Sequence, residues 1–375
     1  MIIKSIEIKH FRCFNQTKGY DFGSVNLLGG KNNAGKTALL EALYLMNEPS
    51  HQSISSLMRL RREDFDSMKS TPQKAWENLF FQGNKGNNIV MSYLSDDADE
   101  NKREVEINCN ESIEEFLSAV QKSNGESDTS VGNFANYLTD NKVTKSALHI
   151  NAYFNEKNMR SSVSIATPNG VMGASLPFTF KKTHLIPAGF KVYDEDLTRE
   201  FGKAKLEESD PKLGSGSDIL LKAFQLIDKT IQKVETINIG KPAIYLKREG
   251  EKFMPLIMYG DAMNKIADLI LRIVNNRNSL ILIDEIENGI HFSNQKALWK
   301  MIFDLVKAYD IQFFATSHSK EMIEAFAAVA IDFDYTHEAR YFVLDRHVKT
   351  NEITIQKMSL DVLDERLSNN KTVRG

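Results

Sequence analysis

Three short apolar runs, each ending in polar or charged residues, stand out along the chain: Val25-Asn26-Leu27-Leu28, Ser279-Leu280-Ile281-Leu282-Ile283 and Gln312-Phe313-Phe314-Ala315. Continuous apolar runs of this length suit strands buried on both faces of a parallel sheet. The first leads through Gly29-Gly30 into a helix former, Ala38-Leu39-Leu40-Glu41-Ala42-Leu43. The second ends in Asp284-Glu285, and the third, after a helical stretch from Gln295 to Tyr309, ends in Thr316-Ser317-His318. Met263, Ile266, Ala267, Ile270, Ile273 and Val274 recur at helical spacing and define an amphipathic helix that begins near Gly260-Asp261. The first residues, through Lys9, alternate as a strand does.

The remainder is less regular. Residues 88–94 and 105–109 read as strands, 111–122 as a helix and 123–133 as a polar loop. Residues 147–154, 162–166 and 177–182 read as hairpin strands. The stretch 194–236 is mainly helical in pattern, broken at Ser209-Asp210-Pro211 and again from Gly214 to Ser217. Residues 340–346 and 352–358 read as final strands, with a polar tail from Ser368. No internal repeat or sustained heptad appears.

Between the first run and its helix lies Gly30-Lys31-Asn32-Asn33-Ala34-Gly35-Lys36-Thr37, a complete G-x-x-x-x-G-K-[ST] loop in strand–loop–helix context. Such a loop turns backbone N–H groups around phosphates, and the helix N-terminus adds a favourable dipole. Lys36 is expected to reach the β- and γ-phosphates and Thr37 to ligate Mg²⁺. Asp284 would hold the metal shell, and Glu285 would orient or deprotonate the attacking water. His318 is either a γ-phosphate contact or a capping histidine, and its place at the end of a core strand favours the former. Gly260-Asp261 is either an anion site at a helix N-terminus or a plain cap. A compact domain of this kind needs far less chain than separates Lys36 from Asp284, so a large insertion is expected between them.

Composition narrows the setting. The 375 residues are 42% hydrophobic and 26% charged, with a net charge of −3, so no global basic field points to nucleic acid. Two distant cysteines, Cys13 and Cys109, fit a reducing compartment. No run approaches membrane-spanning length and the start does not resemble a signal peptide, so a cytoplasmic protein is expected.

The order of these elements resembles the ATP-binding-cassette class of ATPases, in the branch holding SMC proteins, RecF and the OLD (overcoming-lysogenization-defect) family. The resemblance is carried by Phe11-Arg12-Cys13-Phe14, Gly30 to Thr37, Asp284-Glu285-Ile286-Glu287-Asn288-Gly289-Ile290-His291 and Ala315-Thr316-Ser317-His318-Ser319. It implies an α/β P-loop NTPase fold of ABC-ATPase type, a mixed core sheet flanked by helices with an antiparallel β lobe. Residues 1–95 and 241–375 would form the ATPase head, and 96–240 an α+β insertion. It also implies a head-to-tail homodimer with two ATP molecules sandwiched between protomers. Lys36, Thr37, Asp284, Glu285 and His318 would act in cis, and Gly260-Asp261 on the partner's ATP in trans. Arg12 matches a basic residue that lies near the nucleotide in relatives. Gln82, in Leu79-Phe80-Phe81-Gln82, is either a Mg²⁺- or water-contacting glutamine or a loop residue after an aromatic anchor. Glu287 and His291 fall in the segment near the dimer seam, in functional or structural roles.

Two departures shape the expected function. Relatives carry a serine before the signature glycine, whereas Leu256-Ile257-Met258-Tyr259 supplies no small hydroxyl, so slow or partner-dependent hydrolysis is expected. Neither a TOPRIM-like carboxylate cluster nor a zinc constellation is recognisable, and no long coiled coil is present. The expectation is an ATP-driven switch acting on a separately encoded effector, such as a TOPRIM-type nuclease, in bacterial anti-phage defence. A RecF-like DNA-binding repair or recombination ATPase is the alternative, resting on basic clusters at Arg59, Arg61 and Arg62 and at Lys181 and Lys182. A transporter subunit and a GTPase are disfavoured, since neither a Leu-Ser-Gly-Gly-Gln nor an Asn-Lys-x-Asp motif is present.

Overall fold

The structure, a computed structural model, describes residues 2–61, 63, 69–97, 101–109, 145–155, 157–175, 182–189, 194–369 and 373. The chain divides into two compact units.

The first unit comprises Met1–Asp21, Thr37–Phe180 and Arg346–Ile355. Its sheet is antiparallel throughout, built from β1 (Ile3–Phe11), β2 (Phe14–Tyr20), β4 (Ile89–Ser95), β5 (Lys102–Cys109), β6 (Ser146–Phe154), β7 (Lys157–Thr167) and β8 (Gly170–Ser175). The strand order is β2-β1-β4-β5-β6-β7-β8. Ile6 and Ile8 of β1 are buried and alternate with the more exposed Glu7 and Lys9, as a half-covered sheet requires. Helix α1 (Lys36–Asn47) lies in this unit from Thr37 onward, and α2 (His51–Leu60) packs against β7 and β8. Trp76 is fully buried, its Nε1–H donating to the Ser146 carbonyl oxygen at 3.2 Å.

The second unit comprises Phe22–Lys36, Lys181–Asp345 and Gln356–Gly375. At its centre are five parallel strands in the order β15-β3-β14-β13-β9: Ala339–Arg346, Val25–Gly30, Gln312–Thr316, Leu280–Ile283 and Thr183–Ile186. All six residues of β3, all four of β13 and all five of β14 are buried, as the continuous apolar runs require. Around the sheet lie α3 (Asp194–Leu206), α4 (Gly216–Ile227), α5 (Asp261–Val274), α6 (Phe292–Ala308), α7 (Lys320–Asp332) and α8 (Leu360–Ser368). Trp299 of α6 anchors the core. Its Nε1–H donates to the Met322 carbonyl at 3.1 Å, and its ring lies edge-on to Phe326 at 5.0 Å and to Phe313 at 6.3 Å.

The expected core strands and their helices are present, and so is the mixed α/β class. One segment differs: helical pattern was expected to 236, but β10 (Ile231–Ile239) pairs antiparallel with β11 (Lys241–Arg248), and β11 with the short β12 (Met254–Pro255). Ile231, Val234, Thr236, Ile237 and Ile239 are β-branched and favour a pleated surface, and Gly240 reverses the chain at a φ of 80°. Helices α2, α7 and α8 were not anticipated. The helix expected at 111–122 and the loop at 123–133 lie outside the described residues, as does all of 177–182 except Lys182. Within 96–240, the strands up to Ser175 belong to the first unit, whereas β9, α3, α4 and β10 belong to the second.

Truncating Trp299 removes a fully buried ring and its hydrogen bond to the Met322 carbonyl. Trp299→Ala should cost about 3–5 kcal/mol in urea denaturation, and Trp299→Phe clearly less. A loss below about 1 kcal/mol for the alanine variant would show that this ring does not anchor the unit.

Candidate nucleotide site

The phosphate loop leaves β3 through Gly30, whose φ is +141°. A Cβ there would lie 2.4 Å from the Leu344 carbonyl oxygen, so neither the dihedral nor the space admits another residue. Lys31, Asn32 and Asn33 are exposed, with Asn33 left-handed at a φ of 61°, and the N–H of buried Ala34 donates to the Lys31 carbonyl at 3.3 Å. Lys36 is 5% exposed and folds back over the loop. Its Nζ donates to the carbonyl oxygens of Gly30 at 2.8 Å and Lys31 at 2.9 Å, and lies 3.3 Å from Nδ1 of His318. Thr37 follows in the first turn of α1 and is half-buried.

Strand pairing fixes the other side. Ile283 of β13 stands opposite Ala315 of β14, which sets Asp284 beside Thr316. The Thr316 hydroxyl donates to Oδ1 of Asp284 at 2.6 Å and accepts the Glu285 N–H at 2.8 Å. Glu285 is left-handed, with a φ of 53°, and its Oε2 accepts a hydrogen bond from Asn288 Nδ2 at 2.6 Å. The next carboxylate, Glu287, accepts the backbone N–H groups of His318 at 2.5 Å and Ser319 at 3.1 Å. The turn after the carboxylates therefore holds the histidine-bearing loop by its backbone. Burial, with the nearby Lys36 cation, keeps the His318 ring below the usual histidine range, while Glu287, Glu285 and Asp284 oppose that shift.

Gly260 precedes α5 with a φ of 88°, and a Cβ there would meet nothing within 4 Å. Among the described residues no side chain caps this helix N-terminus, and Asp261 is exposed in its first turn. Lys265, one turn on, lines a recess partly open to solvent together with Asp284, Glu285 and Asn288. Burial lowers the Lys265 ammonium, and Asp261, Glu285 and Glu287 pull it back up. His291 caps α6, accepting the Ser293 N–H at 3.4 Å.

Two expected residues lie in the first unit. Arg12 is engaged with carboxylates: Nε donates to Glu41 at 3.1 Å, and Nη1 to Glu63 at 3.4 Å and to the Asn78 carbonyl at 2.8 Å. Its Nη2 is buried and has no hydrogen-bond partner among the described residues. Gln82 is exposed and left-handed, with a φ of 53°, after buried Phe80. Of the basic clusters, Arg59 and Lys182 are exposed and Arg61 pairs with Glu41 at 2.6 Å, while Arg62 and Lys181 lie outside the described residues. The part played by Thr316 escaped sequence reasoning because it depends on a register between strands that no local pattern reveals; Asn288, three residues after Glu285, was missed although its contact is local.

A glycine-led loop closing on a buried lysine, a strand ending in paired carboxylates and a polar-tipped strand between them define a P-loop ATPase. A family model described as "AAA domain, putative AbiEii toxin, Type IV TA system" matches residues 25–324, and the chain belongs to that family. It is thus an ATPase of the ABC-like P-loop class that the sequence resembles. The chain is similar to a Helicobacter pylori protein named "ATP/GTP phosphatase", 25% identical over 371 residues and covering 92% of each chain. It is also similar to an uncharacterized protein of Methanocaldococcus jannaschii, 30% identical over 96 residues, which are 26% of this chain and 43% of that one. Among solved structures, the SMC head domain from Thermotoga maritima aligns with 96% of this chain and 99% of its own, at 12% identity and a TM-score of 0.49. Among the described residues, no helix is long and apolar enough to cross a membrane.

The direction of the His318 shift is measurable by NMR on the nucleotide-free protein. Its ring should titrate below the ordinary histidine value of about 6.5. Lys36→Met should raise that midpoint, because a neighbouring cation is removed. A midpoint at or above the ordinary value, unmoved by the substitution, would contradict the contact.

Proposed function

We propose that this chain is a nucleotide-driven switch that binds ATP at residues 30–37, closes as an ATP-sandwiched homodimer and reopens on hydrolysis. The observation that carries this reading is the convergence of Lys36 and His318 at one contact, with Asp284 and Glu285 tied to Thr316, two residues before that histidine. Lys36 would neutralise the β- and γ-phosphates and His318 would face the γ-phosphate. Glu285 would take the proton of the attacking water, moving off its bond to Asn288 as it does so. Gly260 and Asp261 would approach the partner's γ-phosphate from the open N-terminus of α5. Arg12 and Gln82 are proposed near the nucleotide by resemblance alone.

The donor chemistry suits magnesium. Thr37 offers a hydroxyl and Asp284 a carboxylate, both hard oxygens, and Mg²⁺ is commonly held by one or two protein oxygens together with phosphates and water. Asp284 is oriented at one oxygen by Thr316, and no group of three or more His, Cys, Asp or Glu able to hold a metal occurs among the described residues. The metal would supply charge neutralisation on the phosphates.

The output is proposed to be a change of shape read by a separately encoded effector, such as a TOPRIM-type nuclease, in cytoplasmic anti-phage defence. The family description, which names a putative toxin of a toxin–antitoxin system, supports a defence setting. ATP drives such a switch only through its different affinity for the open and closed states. The phosphatase named for both ATP and GTP makes a side-by-side comparison of the two nucleotides informative.

Lys36→Ala should abolish ATP binding in calorimetry. Glu285→Gln should retain binding, lower turnover by about 10²–10⁴-fold, and accumulate ATP-bound dimer in light scattering. Unchanged turnover in Glu285→Gln would remove Glu285 as the base. With no serine before Gly260, the isolated wild-type protein should turn over below about 1 per second, the low end of typical enzyme rates. Several turnovers per second without a partner would refute that expectation.

A further inference from the structure

We propose that Thr316 is a positioning residue for hydrolysis, its one hydroxyl setting both the Asp284 carboxylate and the backbone turn that presents Glu285. The inference deepens the hydrolytic reading of this site and rests on it.

A threonine hydroxyl has one proton and two lone pairs. The hydroxyl proton goes to Oδ1 of Asp284, 2.6 Å away. At 2.8 Å the Glu285 N–H can only donate, so a hydroxyl lone pair receives it. The two bonds fix the hydroxyl's rotor and leave no exchange between alternative partners. Thr316 has no exposed surface, so water does not compete for either bond.

The bond to Glu285 falls where the backbone is strained. Glu285 lies in the left-handed region at a φ of 53°, which a non-glycine residue holds only when its surroundings impose it. Thr316 imposes it twice: the hydroxyl takes the Glu285 N–H, and the Thr316 carbonyl accepts the Ile286 N–H at 3.1 Å. Glu287 ties the same turn to the loop after β14 by accepting the N–H groups of His318 and Ser319. Three successive residues, the expected metal ligand, the expected base and the one after it, are thus fixed by one side chain and its carbonyl.

A hydroxyl serving only to satisfy a buried strand would influence stability alone. Thr316→Val keeps the shape and removes the hydroxyl, Thr316→Ser keeps the hydroxyl and removes the methyl, and Thr316→Ala supplies a second deletion should the valine variant fold poorly. Thermal melting identifies the folded variants. In these, binding of Mn²⁺ in the presence of the nonhydrolysable analogue β,γ-imido-ATP is followed by electron paramagnetic resonance, and kcat and KM for ATP are measured separately.

Thr316→Val and Thr316→Ala should weaken Mn²⁺ binding and lower kcat, each by about 10–100-fold, the usual effect of losing a group that orients a metal ligand. KM for ATP should stay close to wild type, and Thr316→Ser should restore both quantities. Wild-type Mn²⁺ affinity and kcat in the hydroxyl-free variants would overturn the proposal, as would a serine variant as impaired as valine. If the wild-type protein hydrolyses no nucleotide, the functional reading fails, and the Mn²⁺ measurement still decides whether Thr316 holds Asp284.

Discussion

In the second unit the backbone of β14 hydrogen-bonds to β3 along one edge and to β13 along the other, all three strands running the same way. Parallel strands deliver their C-terminal ends to one side of a sheet, where ligands of such folds bind. Residues remote in sequence therefore meet without long side chains reaching for one another. Lys36 finds His318, and Asp284 finds Thr316, because Leu28 pairs with Thr316 and Ile283 with Ala315. A slip of one residue in either pairing would turn the strand residues that set these contacts to the opposite face.

The site so assembled is organised before any ligand arrives. The Lys36 ammonium, the Asp284 carboxylate and the backbone at Glu285 each have defined partners, and the costs of burial and strain are carried by the apolar sheet beneath. Fixed charges of this kind need little reorganisation when a transition state forms. Glu287 has a structural role: one oxygen holds two backbone N–H groups, while the other is buried without a hydrogen-bond partner among the described residues.

Much of this was legible in the sequence, for identifiable reasons. The phosphate loop and the acidic strand announce themselves because their chemistry needs fixed residue types at fixed spacing, and the apolar runs of β3, β13 and β14 cannot sit anywhere but a buried sheet. What stayed hidden depends on partners distant in sequence. Thr316 reads as an ordinary strand-end hydroxyl until the register sets it beside Asp284. Arg12 reads as a free basic residue until Glu41 and Glu63 are seen around it. Residues 231–236 carry apolar side chains at a spacing that also fits a helix, and only pairing across Gly240 decides for a strand.

The central claim is that the loop, the histidine and the carboxylates are parts of one triphosphate site. The most direct measurement is an experimentally determined structure with β,γ-imido-ATP and Mg²⁺. The account predicts the β- and γ-phosphates on Lys36 Nζ, the γ-phosphate beside His318, and the metal in contact with Asp284. A nucleotide bound elsewhere, with Lys36 still bonded to the carbonyls of Gly30 and Lys31, would contradict it.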